Sequence, residues 1–494
     1  MLLEATAAAI LVTQFVYHRW FSDKPTVPRN PVVFPLTEEG TPVPLIFGRT
    51  IVRQPILAWG RVTWLNPVDA NDARAHLLYV VGIGCDDGRG TNRVHQMWIG
   101  DAKLNNYYSY TGNVDADQNW LQTGDGNLET PIQLAGFMWI ETLNGNTNQV
   151  LAADNSNVFS APTYVGRAML QIMAVEQIAN YRGYISVFLH GDPDGWPISR
   201  SGEKAYAFEA SSYHDAHPEL STYGRVGQDL NPANAIYLIL KDKLGKLGLD
   251  ESYIDLPSFK AAQYTLRNEG HGYSRCIDAQ ASGDEIIGEI LRQIDGCVDV
   301  DSATGKLTLY LVRPDFDPNT IPVINRSNTI ELKSFAFGGW PELTNRVRIK
   351  FTDRANNYQV GSETSPNQGN AVAQNAEEEL ELDMPGIHDR ELAKRVVARE
   401  IAARSKPLLK CRAMCGRWAL RLRRGQPVWL RWGNPDVAAI MRVANVERGT
   451  LENGAIAVDL MLDTASYVWR GTAPQPPDFG IPDPPTTNAP PGPS

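Results

Sequence analysis

The apolar periodicity of this chain changes at Asn231, and that change constrains the fold more than any other feature. Before it, and again well after it, apolar residues alternate with polar ones in short runs broken by Gly, Pro, Asn and Asp, the pattern of half-buried strands. From Asn231 to Gly296 they recur every three to four residues instead. Asn231-Pro232 reads as a helix start, an N-cap side chain followed by proline at the first helical position. Ile236, Ile239, Leu240 and Leu244 follow at helical spacing, and Gly248 closes the segment. A second helix is predicted from Pro257 to Glu269, with Phe259, Ala262 and Leu266 on one face. A third opens on a capping box, Ser282-x-x-Glu285, turns Ile286, Ile290, Leu291 and Ile294 inward, and ends at Gly296. A hairpin then alternates Val298 and Val300 with Asp299 and Asp301, turns at 303–306, and returns through Leu307, Leu309 and Leu311.

The flanks read as β. Gly40 to Gly60 is predicted as two strands parted near Gly48 and bent again at Pro55. Further strands are expected at His76–Gly84, Val94–Ile99, Tyr164–Met173, Tyr184–Leu189 and Ala205–Phe208. Downstream, Val347, Ile349 and Phe351 alternate in a strand, 353–385 reads as a polar loop, and a helix runs from Asp389 to Arg404. The strands Leu408–Leu422, Pro427–Trp432, Ala439–Val446 and Ala455–Leu462 follow, at a spacing that suits a barrel or sandwich. At roughly 150 residues per domain, 494 residues allow about three domains. The expected division is an apolar, helical N-terminal segment (1–25), a first β-barrel region (26–228) with a loop-rich insertion (105–160), an α+β module (229–325), a second β-barrel region with one helix (326–470), and a Pro-rich tail (471–494). Ala5 to Val16 is too short to span a bilayer comfortably. It is expected to pack on a partner or on its own oligomer rather than to touch a membrane.

No enzymatic constellation emerges. Gly82-Ile83-Gly84 follows a strand but runs into Cys85-Asp86-Asp87, with neither the third glycine nor the helix of a dinucleotide site, so a turn is expected. His214-Asp215-Ala216-His217 is the most metal-like cluster, yet no further ligand is identifiable and a polar loop is the plainer reading. Asp86 with Asp87, or Glu377 to Glu379, could supply paired carboxylates for glycoside cleavage; adjacent carboxylates on loops are usually a solvated face. Cys411, Ala413 and Cys415 would share one buried strand face; Cys276 and Cys297 are scattered singly. Basic residues cluster at Arg417 to Arg424 with aromatic neighbours, expected as one surface face of a strand. With a net charge of −10, phosphate-backbone binding is disfavoured. No catalytic, cofactor or metal residue is therefore assigned.

Four blocks resemble the hub family of long-tailed phages, the central tail-tip or host-specificity proteins and the hubs of gene transfer agents. GTPVPLIFGRTIVRQPILAW (Gly40 to Trp59) is similar to the family's opening strand pair, with Phe47 where Tyr is usual. YVVGIGCDDG…VHQMWIGDAKL (Tyr79 to Leu104) and PTYVGRAML (Pro162 to Leu170) resemble the next two blocks. The stretches beginning NPANAIYLILKDKLGKLG and IIGEILRQIDGCVDVDSATG resemble the family's α+β module and the barrel after it. The resemblance implies two tail-tube-like β-barrel domains with smaller inserted domains. It further implies a homotrimer forming a pseudo-sixfold ring between tail tube and tip, with a channel for DNA ejection and no specific nucleic-acid recognition. Implied neighbours are a distal tail ring protein, the tape measure protein and a tail fibre or spike protein, at the distal end of the virion's tail. The rival readings are a receptor- or carbohydrate-binding tail protein and a cell-wall-degrading enzyme.

Overall fold

The computed structural model describes residues 42–64, 73–83, 92–99, 102–103, 107–110, 120–123, 138–143, 184–191, 206–213, 217–241, 248–339, 343–406, 408–433, 436–449 and 454–464. The N-terminal apolar segment, most of the 105–160 insertion, the predicted strand at 164–173 and the Pro-rich tail lie outside these residues. The chain divides into two compact units, one built from segments 53–82 and 94–208, the other from 44–52, 83–93 and the chain from Glu209 onward.

In the first unit the strand pairs whose register is described run antiparallel. Ile56–Trp64 pairs with the strand that begins at Ala73, from Ile56↔Val80 to Trp64↔Ala73. Tyr107–Tyr110, Trp120–Thr123, Met138–Leu143 and Tyr184–Gly191 form a four-strand meander. Tyr79 packs its ring 5.4 Å from Tyr206 and 6.1 Å from Phe208. Burial pushes the Tyr79 hydroxyl up to about 12.

In the second unit β1 (Leu45–Val52) runs unbroken through Gly48, where two strands were expected. Gly48 takes up the irregularity itself at φ +62°. β2 (Asp229–Leu230) leads into the α+β module, whose local signals all form. Asn231 Oδ1 accepts from the Ala233 amide at 3.0 Å and starts α1 (Pro232–Lys241). α2 spans Leu256–Asn268, and β3 (Arg275–Ile277) pairs antiparallel with β1. α3 (Gly283–Ile294) carries both halves of the capping box, Glu285 N to Ser282 Oγ at 3.2 Å and Ser282 N to Glu285 Oε2 at 3.1 Å. It ends on Asp295 in the left-handed region, one residue before the glycine expected there. β4 (Gly296–Val300) and β5 (Leu307–Leu311) form the hairpin. Phe47, Tyr237, Phe259, Leu266, Tyr273, Ile290 and Ile294 make its core. Each such side chain contributes about 1.5–3 kcal/mol by leaving water.

β6 (Val323–Asn325) and β7 (Thr329–Phe337) follow and belong to a sheet completed later in the chain. Between them and that completion lies a small layered subdomain. β8 (Arg346–Asp353) pairs antiparallel with β9 (Gln359–Pro366) and parallel with β10 (Glu379–Asp383). α4 (Gln368–Gln374) connects β9 to β10. α5 (Arg390–Arg404) covers one face, setting Leu392, Val396 and Ile401 against Val347, Ile349 and Phe351. The polar loop expected at 353–385 is thus a strand, a helix and a strand. Period-two alternation is present in Glu379-Leu380-Glu381-Leu382, but its outward residues are all charged; in β9 the inward positions are Gly361, Glu363 and Ser365.

β11 (Leu409–Cys415), β12 (Pro427–Gly433), β13 (Asp436–Glu447) and β14 (Ile456–Leu462) complete a six-stranded sheet in the order β6-β12-β13-β14-β11-β7. Its outermost strands, β6 and β7, are joined by residues 326–328 alone. Laid flat, six strands would hold those edges about 24 Å apart. Three linking residues reach only about 14 Å. The sheet must therefore curl on itself, around Cys411, Ala413, Cys415, Val428, Leu430, Met441, Val443, Val458 and Leu460. The strand predicted to Leu422 stops at Cys415, and Arg417–Arg421 form a 3-10 turn. Trp418 sets that boundary, its Nε1 donating to the Asn328 carbonyl at 2.8 Å.

Candidate functional site

The densest polar constellation is a buried junction where distant segments of the second unit meet. Gly48 on β1 presses against Tyr273 and Ser274, so that Arg49 N donates to Ser274 Oγ at 3.1 Å. Ser274 Oγ donates to Asp229 Oδ1 at 2.6 Å. Arg354, in the 3-10 turn after β8, gives Nη2 to Asp229 and to the Arg49 carbonyl at 3.1 Å. Arg49 Nε pairs with Glu209 at 2.6 Å, and the Tyr358 hydroxyl donates to the same carboxylate oxygen at 2.6 Å. His388 Nδ1 lies 3.2 Å from the Arg49 carbonyl, with its ring edge-on to Tyr358 at 5.6 Å. A Cβ at Gly386 would sit 2.3 Å from the Tyr273 ring, so this approach also requires glycine. Burial holds the Tyr358 hydroxyl well above its usual range, and lowers His388 to about 4 despite Asp229 nearby.

Two further guanidinium seams flank it. Arg313 is 4% exposed and forks onto Glu269 at 2.7 and 2.8 Å, its other N–H groups reaching the carbonyls of Ile294, Val312 and Asp295. From α5, Arg399 reaches the carbonyls of Arg292 and Gln293 at the end of α3, and Arg395 those of Glu269 and Gly270. His271 is buried among these arginines, and burial first, then their charges, holds it well below its ordinary value. At the curled sheet, Arg442 pairs with the buried Asp463 at 3.0 Å and reaches the Arg313 carbonyl at 2.6 Å. Arginine suits these places because its planar fork satisfies several acceptors and stays charged.

Chemically this is a set of joints. Ser274 directs its proton to Asp229, and each carboxylate is engaged by a guanidinium, so the groups cross-link segments as far apart as Arg49 and Arg354. Glu209 left a trace in sequence: it is a lone charge in Tyr206–Ser212, every residue of which is buried. Arg49, Asp229, Ser274, Arg354 and His388 left none, because their partners are distant in sequence.

The residues singled out from sequence are dispersed. Cys411 and Cys415 face the core of the curled sheet with Ala413 between them. Cys276 and Cys297 are free thiols, their pKa raised by burial to about 12. His217 Nε2 lies 2.8 Å from Glu251 while its Nδ1 caps a 3-10 turn at Glu219. Gly84, Cys85, Asp86, Asp87, His214 and Asp215 lie outside the described residues. Among the described residues no three His, Cys, Asp or Glu side chains are placed to share a metal ion. Glu377 and Glu379 pair with Arg346 and Arg348 at 2.8 Å, a cross-strand ladder continued by Lys350–Glu381 at 2.5 Å. The basic run expected on a strand face lies in and after the 3-10 turn, and its C-terminal end ties the β4–β5 hairpin to the curled sheet, with Arg423 on Asp301 at 2.9 Å.

Residues 282–446 match the Phage-tail_3 family, described as "Putative phage tail protein". No curated protein sequence matches the chain. A protein from the virion of a native gene transfer agent particle shares the fold, with a TM-score of 0.55 at 14% identity, over 94% of this chain and 96% of that one. The 43 kDa tail protein of prophage MuSo2 from Shewanella oneidensis aligns over 86% of this chain and 98% of its own at 9% identity, and a tail protein from Neisseria meningitidis MC58 over 75% and 96% at 8%. Both have TM-scores of 0.29 and add nothing to the fold assignment. Residues 282–446, which hold α3, the hairpin, the layered subdomain and most of the curled sheet, are thus the part of the chain that is similar to this family of phage tail proteins.

Proposed function

We propose that this chain is a structural, non-enzymatic virion protein, the central hub of a tail tip or baseplate. In this reading three copies form a ring that joins the tail tube to the tip and leaves a channel for DNA ejection. The observation that carries it is the shared fold with a gene transfer agent virion protein over nearly the full length of both chains. The tail-family match and the guanidinium joints support it, since they serve stiffness and offer no poised nucleophile. The layout that goes with it has tube-like barrels at 26–228 and 326–470, the second containing the curled sheet, and the α+β module between them at 229–325. Its neighbours are then other tail proteins: a distal ring protein, the tape measure protein and a fibre or spike.

Gold-antibody labelling of intact particles, read by electron microscopy, tests the placement. Label at the distal tail end, directly or after mild disruption, is expected. Label on the capsid, or none in either state, overturns it.

A further inference from the structure

Most buried arginines of the second unit are tied to carboxylates or carbonyls, but four exposed ones on the curled sheet are not. The guanidiniums of Arg326, Arg417, Arg421 and Arg431 make no ion pair or hydrogen bond with the described residues. Two of them lie over indoles instead, Arg326 5.7 Å from the Trp432 centroid and Arg431 5.1 Å from that of Trp429. The indole of Trp429 and the turn that carries Arg326 are both held in place. Trp429 Nε1 donates to the Pro318 carbonyl at 2.7 Å, and Trp418 pins the 326–328 turn through Asn328. Beside that turn Ile330 is 68% exposed, set outward by the register shift between Thr329 and Glu331. Arginine and tryptophan around an exposed aliphatic residue is the composition of interface hot spots. Stacking also orders the guanidiniums beforehand, which lowers the entropy lost on binding.

Such a rim calls for an acidic surface. A chain of net charge −10 opposes the approach of a nucleic-acid backbone. A closed ring of identical chains, however, needs two different and complementary patches on each copy. The same unit carries the second patch. Glu377 and Glu378, just before the edge strand β10, and Glu379, Glu381 and Asp383 on it, stand against the three cations Arg346, Arg348 and Lys350. Glu378 and Asp383 are exposed and form no ion pair with the described residues, so the ridge keeps a negative surplus. We propose that the Arg–Trp rim of one copy docks on the acidic β10 ridge of the next, as the heterologous contact of the ring. This inference rests on the ring reading above.

The test uses the full chain. Its mass is measured by light scattering and native mass spectrometry against concentration and salt. Three variants are compared: Arg326→Glu with Arg431→Glu, Glu378→Lys with Asp383→Lys, and all four together. All four positions are exposed, so unchanged thermal melting verifies folding. Each pair alone should weaken self-association by about a hundredfold or more, since like charges then face each other. The fourfold variant should assemble again. Rim reversal without effect on mass, or no rescue in the fourfold variant, overturns the proposal. A parent chain that stays monomeric while binding duplex DNA through Arg326 and Arg431 also overturns it, and leaves the hub placement to the labelling experiment.

Discussion

Replacing Gly48 with alanine tests the junction at its tightest point. An alanine Cβ there would lie 2.2 Å from Ser274 Oγ, 2.9 Å from the Leu230 nitrogen and 2.9 Å from the Tyr273 oxygen. The last two atoms are hydrogen-bonded to each other at 3.0 Å and cannot swing aside separately. Only Ser274 Oγ can rotate, and doing so gives up its bonds to Asp229 and from Arg49 N. Each lost bond costs about 1 kcal/mol. The left-handed backbone, φ +62°, adds about 1–2 kcal/mol for any residue with a Cβ. The expected loss is therefore about 3–4 kcal/mol. Gly305→Ala is the control, because Gly305 has φ +71° and open space around it, so only the backbone cost of about 1–2 kcal/mol applies. Native-state hydrogen exchange at Leu230 and Tyr273, whose amides bond each other's carbonyls, reads the local opening energy. Equal losses in the two variants, or unchanged exchange at Leu230 and Tyr273 in Gly48→Ala, would refute the close-approach argument.

Asp463→Ala leaves Arg442 buried without its carboxylate and should cost about 3–5 kcal/mol, seen as a lower denaturant midpoint; a loss under 1 kcal/mol would mean that the carbonyls of Gly425 and Arg313 suffice. His388 sits at about 4 in the folded chain against an ordinary 6.5, mainly through burial. Folding then favours its neutral form, so the stabilisation is complete above pH 6.5 and falls away as the pH drops toward 4, by up to about 3 kcal/mol. His388→Gln should flatten that part of the stability–pH curve, and an unchanged slope would place the titration elsewhere. Cys411 and Cys415 are buried with raised thiol pKa values, so iodoacetamide at pH 8 should label them only after denaturation; rapid native labelling would contradict their place in the core.

What sequence reveals here follows the range of the interaction that decides each element. The Asn231-Pro232 start, the Ser282–Glu285 box and the β4–β5 hairpin depend on residues a few positions apart, and they form as read. The β9–α4–β10 segment was missed because its exposed faces are polar and its strands are set by pairing to β8, which a polar run does not announce. The continuity of β1 through Gly48 depends on a close approach to Ser274, 226 positions away, and so reads locally as a break. The junction arginines were illegible for the same reason: Arg354 looks like a surface residue after a strand until Asp229 and the Arg49 carbonyl are brought to it.

The three guanidinium seams differ from apolar packing in one physical respect, which is direction. An apolar contact tolerates sliding of one surface on another, whereas a fork onto a carboxylate with remaining N–H groups on carbonyls fixes both distance and angle. α5 reaches the last carbonyls of α3 through Arg399, groups that α3 itself cannot satisfy and that carry the negative end of its dipole. Arg313 takes the next carbonyl, at Ile294, and its own carbonyl receives Arg442 from the curled sheet. The α+β module, the layered subdomain and the curled sheet thus meet at the end of α3, through Arg399, Arg313 and Arg442. Rotating any of them breaks several charge-assisted bonds at once and strands buried carbonyls. Within the second unit these subdomains therefore hold one mutual orientation, and a loosening under acid would begin at the seams where His271 and His388 are buried neutral.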